Sequence, residues 1–351
     1  MAADKIRVLV VDDSALIRKI ISDFINNEKD MEVIGTAKNG KEAIELFKEK
    51  KPDIVTLDIE MPVMDGLSTL REIMNIKPTP VIMLSNLTYE GSEATIKALE
   101  LGAVDFISKP ENIFSNNNYI QELLNKIRTL KNAKVFTGAK KLIIERPDRI
   151  GHKSREIKRI VAIGISTGGP RALMELLPSL PSNIPAAFLI VQHMPPGFTR
   201  SLAKNLDSVC MLEVKEAEAG EVLEPGKVYI APGDFHMLVK KFDNKLIIDL
   251  TKDPPIMNLR PSANVLFKSL GALKIENVIA VIMTGMGSDG AESLKDLKQN
   301  GAFIIAQDET TSTVFGMPKS AIKTGYVDKV LPLGQIANEI IRIVEGDSYG
   351  C

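Results

Sequence analysis

Short apolar runs alternate along the chain with stretches whose apolar positions recur every three to four residues. Arg7–Val11, Glu32–Ala37, Ile54–Asp58, Val81–Leu84 and Asp105–Ile107 read as strands. Ala15–Asn26, Gly40–Lys48, Leu67–Ile76 and Gly91–Leu101, between them, read as amphipathic helices. Strands joined through helices form a parallel sheet with helices on both faces, so residues 1–125 are predicted to be a doubly wound α/β domain. The alternation then stops. A second one starts near Lys158, with strands predicted at Ile160–Ile165, Ala187–Gln192, Lys227–Ala231, Val278–Met283, Phe303–Gln307 and Gly325–Val330. Met237–Lys241 and Leu246–Leu250 flank Phe242-Asp243-Asn244-Lys245, which predicts an antiparallel hairpin appended to this second, Rossmann-like α/β sheet over residues 158–351.

Length and charge refine this picture. A chain of 351 residues, 44% of them hydrophobic, exceeds what one core usually supports, so two domains are expected. Between them, residues 126–157 are rich in Lys and Arg, and Gly138, Pro147 and Gly151 break any long helix; the stretch reads as a basic, solvated linker. The balance of 44 Lys+Arg against 45 Asp+Glu removes the basic signature expected of most nucleic-acid binders. Cys210 and Cys351 are too few and too far apart for a disulfide framework or a cysteine metal site. No run approaches the roughly eighteen apolar residues of a membrane span. Met1-Ala2-Ala3-Asp4-Lys5 leads straight into a strand, so a cytoplasmic protein without membrane insertion is expected.

Candidate chemistry gathers at strand ends. Asp12 and Asp13 end the first strand, Asp58 the third and Ser85 the fourth, and Lys109 follows the fifth. In a doubly wound sheet these ends converge on one edge. The three carboxylates form an all-oxygen set suited to Mg²⁺, Asp58 could attack phosphorus, and Ser85 and Lys109 could receive the new phosphoryl charge. The chain here resembles the receiver domain of response regulators, of flavodoxin-like fold. The likeness rests on Val10-Val11-Asp12-Asp13-Ser14, Leu57-Asp58-Ile59-Glu60-Met61-Pro62, Met64-Asp65-Gly66 and Phe106-Ile107-Ser108-Lys109-Pro110. The resemblance implies that Asp58 is the phosphoacceptor, Asp12 and Asp13 metal-site acids, Phe106 a switch aromatic and Lys109–Pro110 a cis peptide.

In the second half, Gly164-Ile165-Ser166-Thr167-Gly168-Gly169 sets a hydroxyl at a glycine-flanked turn between a predicted strand and a predicted helix, a place for a nucleophile. A dinucleotide-binding turn is the competing reading. It lacks the Gly-x-Gly-x-x-Gly spacing, and Gln192-His193 stands where a ribose-binding acid would be expected. Three histidines are available as a base: His152 in the linker, His193 at the end of a strand, and His236 after another. His193 is the first choice and His236 the second. Asp289, after the strand Val278–Met283, could orient the imidazole, although it could equally cap a helix beginning at Ala291. The chain order Ser, His, Asp differs from the Ser, Asp, His of α/β-hydrolases.

At this point the chain resembles the chemotaxis protein-glutamate methylesterase family, CheB. The matching stretches are Ile163–Pro170, Val191-Gln192-His193-Met194-Pro195, Tyr229-Ile230-Ala231-Pro232-Gly233, Arg260-Pro261-Ser262-Ala263-Asn264 and Thr284–Ala291. The resemblance implies Ser166 as nucleophile, His193 as base and Asp289 as orienting acid. Turn N–H groups at Thr167 and Met286 could bind the oxyanion. It also implies glutamyl γ-methyl esters on methyl-accepting chemotaxis receptors as substrate, glutamine deamidation at the same site, and the histidine kinase CheA as phosphodonor. No cofactor is expected for the ester reaction, and Mg²⁺ is expected in the receiver. In the family arrangement the first domain covers the catalytic edge until Asp58 is phosphorylated.

Overall fold

A computed structural model of the protein describes residues 5–86, 88–110, 117–136 and 156–346. The chain divides into two compact units, Met1–Leu142 and Ile143–Cys351. His152 and most of the basic stretch lie outside the described residues.

The first unit runs β1 (Ile6–Val11), α1 (Ala15–Asn27), β2 (Met31–Ala37), α2 (Gly40–Lys50), β3 (Ile54–Asp58), α3 (Gly66–Ile76), β4 (Val81–Ser85), α4 (Tyr89–Glu100), β5 (Asp105–Ser108) and α5 (Asn117–Leu130). Its five strands pair in parallel in the order β2-β1-β3-β4-β5. Val8–Val11, Ile54, Val55, Leu57 and Val81–Leu84 are buried, as expected for strands covered on both faces. Side-chain caps start the helices: Ser14 accepts from Ile17 N, Asn39 from Glu42 N and Asp65 from Ser68 N. Helix α5 extends five residues into the stretch read as linker. There Lys126 pairs with Asp105 at 2.9 Å, and Arg128 pairs with Glu28 and Asp30, so these two cations belong to the first unit's packing.

The second unit contains β6 (Arg159–Ile165), α6 (Gly169–Leu176), β7 (Ala186–Gln192), α7 (Phe198–Asp207), β8 (Glu213–Glu216), β9 (Lys227–Ile230), β10 (His236–Phe242) and β11 (Lys245–Thr251). It continues with α8 (Ala263–Ala272), β12 (Val278–Ile282), α9 (Leu294–Gln299), β13 (Phe303–Gln307), α10 (Met317–Lys323), β14 (Lys329–Leu331) and α11 (Leu333–Glu345). Seven parallel strands lie in the order β14-β13-β12-β6-β7-β9-β8. The chain leaves β6 for β7 on one side and returns to β12 on the other, so the switch point falls beside the end of β6.

One further expected element is found and two expectations are corrected. The antiparallel hairpin expected over Met237–Leu250 is present as β10–β11; it pairs as its own two-stranded sheet, with Val239 N donating to Ser269 Oγ of α8. Asp243 and Asn244 both take positive φ, the geometry of a tight two-residue hairpin turn. The strand expected at Gly325–Val330 is only Lys329–Leu331, because Gly325 (φ 77°) ends the turn after α10. Among the described residues the cis peptide bond is Arg260–Pro261, not Lys109–Pro110; the small trans preference of X–Pro bonds leaves the choice to context.

Candidate functional site

The ends of β6, β7 and β12 bring Ser166, His193 and Asp289 to one edge of the second sheet. Parallel register sets this: Ile165 pairs with Gln192 and Ile282 with Gly164, so the residues just beyond emerge side by side. Gly168 (φ 76°) turns the chain from Ser166 into α6, a conformation that suits glycine, and an added Cβ would meet Thr313. The Ser166 carbonyl accepts from Gly169 N at 2.7 Å and Gln192 Nε2 at 3.1 Å, and its N–H donates to Thr284 O at 3.0 Å. Gln192 Nε2 also donates to the His193 carbonyl, tying the serine turn to the histidine backbone. On the other side Thr284 Oγ1 donates to Thr167 O at 2.9 Å and accepts from Val314 N. Gly285 packs so closely that a Cβ there would sit 2.7 Å from that of Ser166.

His193 Nε2 lies 2.8 Å from Asp289 Oδ2. Asp289 is buried and accepts three further hydrogen bonds, from Ser262 Oγ (2.7 Å), Ala263 N (2.6 Å) and Asn264 N (3.1 Å). Burial alone would raise its pKa. The hydrogen bond and charge of His193, with the Ser262 and Ala263 donors, outweigh burial and hold the carboxyl below its ordinary value. An ionised carboxylate can only accept, so Nε2 carries the proton and Nδ1 is left with a lone pair. This reverses the nitrogen usage of the trypsin-type triad, in which the acid holds Nδ1. Ser166 Oγ makes no hydrogen bond among the described residues; the free Nδ1 is the ring nitrogen available to it.

Met286, 41% exposed, follows Gly285, and its N–H has no backbone partner among the described residues. The alternative base, His236, is buried at the start of β10 with Nε2 3.3 Å from Pro254 O. Asp289 does cap a helix, but not one starting at Ala291: the helix there is α9, beginning at Leu294 after Ser293, and Asp289 caps α8 from across the fold. Sequence reasoning gave Ser262, Asn264, Gln192 and Thr284 no role, although all four stand within the stretches that carry the family resemblance.

In the first unit Lys109 Nζ bridges Asp12 Oδ2 (2.7 Å) and Asp58 Oδ2 (2.8 Å). Asp12, Asp13 and Asp58 each present a carboxylate oxygen within 4.8 Å of the others, a hard-oxygen donor set that fits Mg²⁺. Burial pushes the Asp58 carboxyl up to about 6, against the charge and hydrogen bond of Lys109, with Asp12 and Asp13 adding to the rise. Burial would lower Lys109, but the Asp58 and Asp12 charges outweigh it and keep the ammonium protonated. Arg18, which the sequence did not single out, holds the carbonyls of Asp12 and Asp13. Ser85 ends β4 as expected but turns its hydroxyl toward α4. It accepts from Thr95 Oγ1 at 2.7 Å and lies 3.2 Å from Gly91 O. Phe106 is buried, its carbonyl accepts from Lys126 Nζ at 2.7 Å, and that ammonium lies 5.9 Å from its ring centroid.

The chain matches the CheB methylesterase family over residues 161–340 and the response regulator receiver domain over residues 8–121. It is 49% identical over 350 residues to a protein-glutamate methylesterase/protein-glutamine glutaminase of Pyrococcus abyssi, covering 97% of this chain and 94% of that one. A similarly named protein of Syntrophomonas wolfei is 45% identical, with 96% and 99% coverage. The crystal structure of the Thermotoga maritima CheB methylesterase catalytic domain superposes with a TM-score of 0.52 at 49% identity, covering 53% of this chain and 98% of that one. No helix among the described residues is long and apolar enough to cross a membrane.

Proposed function

Since the chain belongs to the CheB methylesterase family, we propose that it is a serine hydrolase acting on glutamyl γ-methyl esters of chemotaxis receptors, regulated through its receiver domain. The observation that carries this reading is the 2.8 Å contact of His193 Nε2 with a carboxylate held by three other donors, beside the Ser166 turn. Ser166 Oγ attacks the ester carbonyl while His193 Nδ1 takes its proton. Asp289 holds the tautomer and balances the imidazolium. The oxyanion falls to the N–H groups of Met286 and the Thr167 turn, each worth roughly 3 kcal/mol of barrier. The tetrahedral adduct collapses, Nδ1–H protonates the leaving methoxide to methanol, and water delivered through Nδ1 hydrolyses the acyl-enzyme to free Glu. A glutamine side chain follows the same path with ammonia leaving, which accounts for a glutaminase activity at one site.

Asp58 is the phosphoacceptor of this reading and a histidine kinase, CheA in this family, its donor. Asp12, Asp13 and Asp58 would hold Mg²⁺, which when bound neutralises phosphoryl charge. Lys109 pairs with the phosphoryl group, and Ser85 reaches it by leaving Thr95. Methanol release from methylated receptor, measured for wild type and Ser166→Ala with and without acetyl phosphate, tests the proposal. The expected result is no release by the variant and faster release by wild type with the phosphodonor. Release by a folded Ser166→Ala protein would overturn the assignment of the nucleophile.

A further inference from the structure

Ser262 is the N-cap of α8, where a serine ordinarily turns its oxygen to a backbone N–H of its own helix. It makes no such bond. Its buried hydroxyl donates instead to Asp289 Oδ1 at 2.7 Å, and the first two N–H groups of α8, from Ala263 and Asn264, converge on the same carboxylate. The start of α8 is itself pinned: Asn264 Oδ1 accepts from Ser293 N and Oγ at 3.2 and 2.9 Å. The ionisable group facing Asp289 is the His193 imidazole, from the end of β7. The contacts from α8 and its cap are neutral, and Arg260, two residues before Ser262, is engaged by Asp234 and by the carbonyls of Lys252 and Asp253.

We propose that Ser262 is a positioning residue of the esterase reaction: its hydroxyl fixes the Asp289 carboxylate behind His193 and tempers the negative charge that the imidazole meets. The proposal rests on the reading of Ser166, His193 and Asp289 given above. Of the donors around Asp289 that tune this charge, the two backbone N–H groups cannot be removed by a side-chain change, whereas the Ser262 hydroxyl can. Without it, Asp289 is less stabilised as an anion, holds the imidazolium more tightly, and leaves less free base at a given pH.

The test is the pH dependence of kcat/KM for methanol release from methylated receptor by wild type, Ser262→Ala and Ser262→Thr, with Ser166→Ala alongside. NMR titration of His193 is practical because the chain has only three histidines. Ser262→Ala is expected to lose about tenfold in kcat/KM and to move the acid limb, and the His193 titration with it, up by roughly 0.5 pH unit. Ser262→Thr, which keeps the hydroxyl, should restore both. A purely structural defect would scale the whole profile without moving the limb, and that result, or an unchanged profile, overturns the proposal. If Ser262→Ala does not fold, Ser262→Cys, a weak donor of similar size, should move the limb in the same direction, and an unmoved limb is equally decisive. Activity in Ser166→Ala would instead overturn the underlying assignment.

Discussion

Replacing Asp289 by Asn removes the charge but keeps the shape, so the outcome depends on how the surrounding hydrogen bonds receive an amide. The amide nitrogen must take the place of one carboxylate oxygen. At Oδ2 it would oppose Ala263 N–H, 2.6 Å away, and would force His193 to accept at Nε2, leaving a proton on Nδ1 and no base for Ser166. At Oδ1 it meets Asn264 N–H at a looser 3.1 Å and Ser262, whose hydroxyl can rotate to accept, while His193 still donates to the other oxygen. The second orientation is the better one, so the productive tautomer survives and only the charge is lost. A charge-assisted hydrogen bond exceeds a neutral one by about 1–2 kcal/mol, so the expected loss in kcat is roughly 5- to 30-fold rather than the ~10⁴-fold seen when such a change flips the tautomer. The acid limb should move to lower pH, because the imidazolium loses its counter-charge. Stability adds a check on sign. The folded pKa of Asp289 lies below the usual 3.8, so its contribution is present above pH ~4 and lost as pH falls through the folded value. The stability gap between wild type and Asp289→Asn should therefore shrink on acidification below pH ~4. Methanol release and urea unfolding across pH measure both quantities. A 10⁴-fold loss in a folded variant, with the acid limb unmoved, would refute the tautomer argument.

Two further outcomes concern the first unit. Asp58 has its folded pKa raised to about 6 from 3.8, so it binds a proton more readily when folded, and the advantage is lost as pH rises through about 6. Asp58→Asn should thus abolish labelling by acetyl phosphate and stabilise the receiver by up to about 3 kcal/mol above pH ~7, with the gap closing below pH ~4; a variant less stable than wild type at pH 8 would contradict this. Thr95→Val removes the hydroxyl that donates to Ser85 Oγ, and is expected to speed phosphoryl transfer to Asp58 several-fold; slower labelling would mean that Thr95 assists Ser85 rather than detaining it.

The strand ends that form the candidate sites were legible because buried parallel strands read as apolar runs and their carboxyl ends share an edge. That rule places Ser166, His193 and Asp289 together. Partners that arrive from distant segments are beyond its reach. Asp289 could be read as the orienting acid or as the cap of the next helix, but the backbone donors it caps, Ala263 N and Asn264 N, lie more than twenty residues upstream in α8, and no local pattern announces that pairing. The direction of the Ser85 hydroxyl depends on Thr95, one element later, and could not be read from a strand end. Strand β8 was missed for a compositional reason: Glu213-Val214-Lys215-Glu216 is an edge strand with one apolar side chain buried, so it resembles a loop. The start of the basic stretch shows a different limit, since a count of cations cannot tell Lys126, half-buried against Asp105, from a solvated lysine.

The hairpin β10–β11 separates the histidine from the aspartate in the chain without lending a strand to the ladder that spaces them. The spacing of the ladder therefore does not depend on the Asp243–Asn244 turn, where Phe242 and its neighbours face solvent. That turn is the natural port for grafting: a reporter, an affinity tag or a whole inserted domain can enter there while Ser166, His193 and Asp289 keep their register.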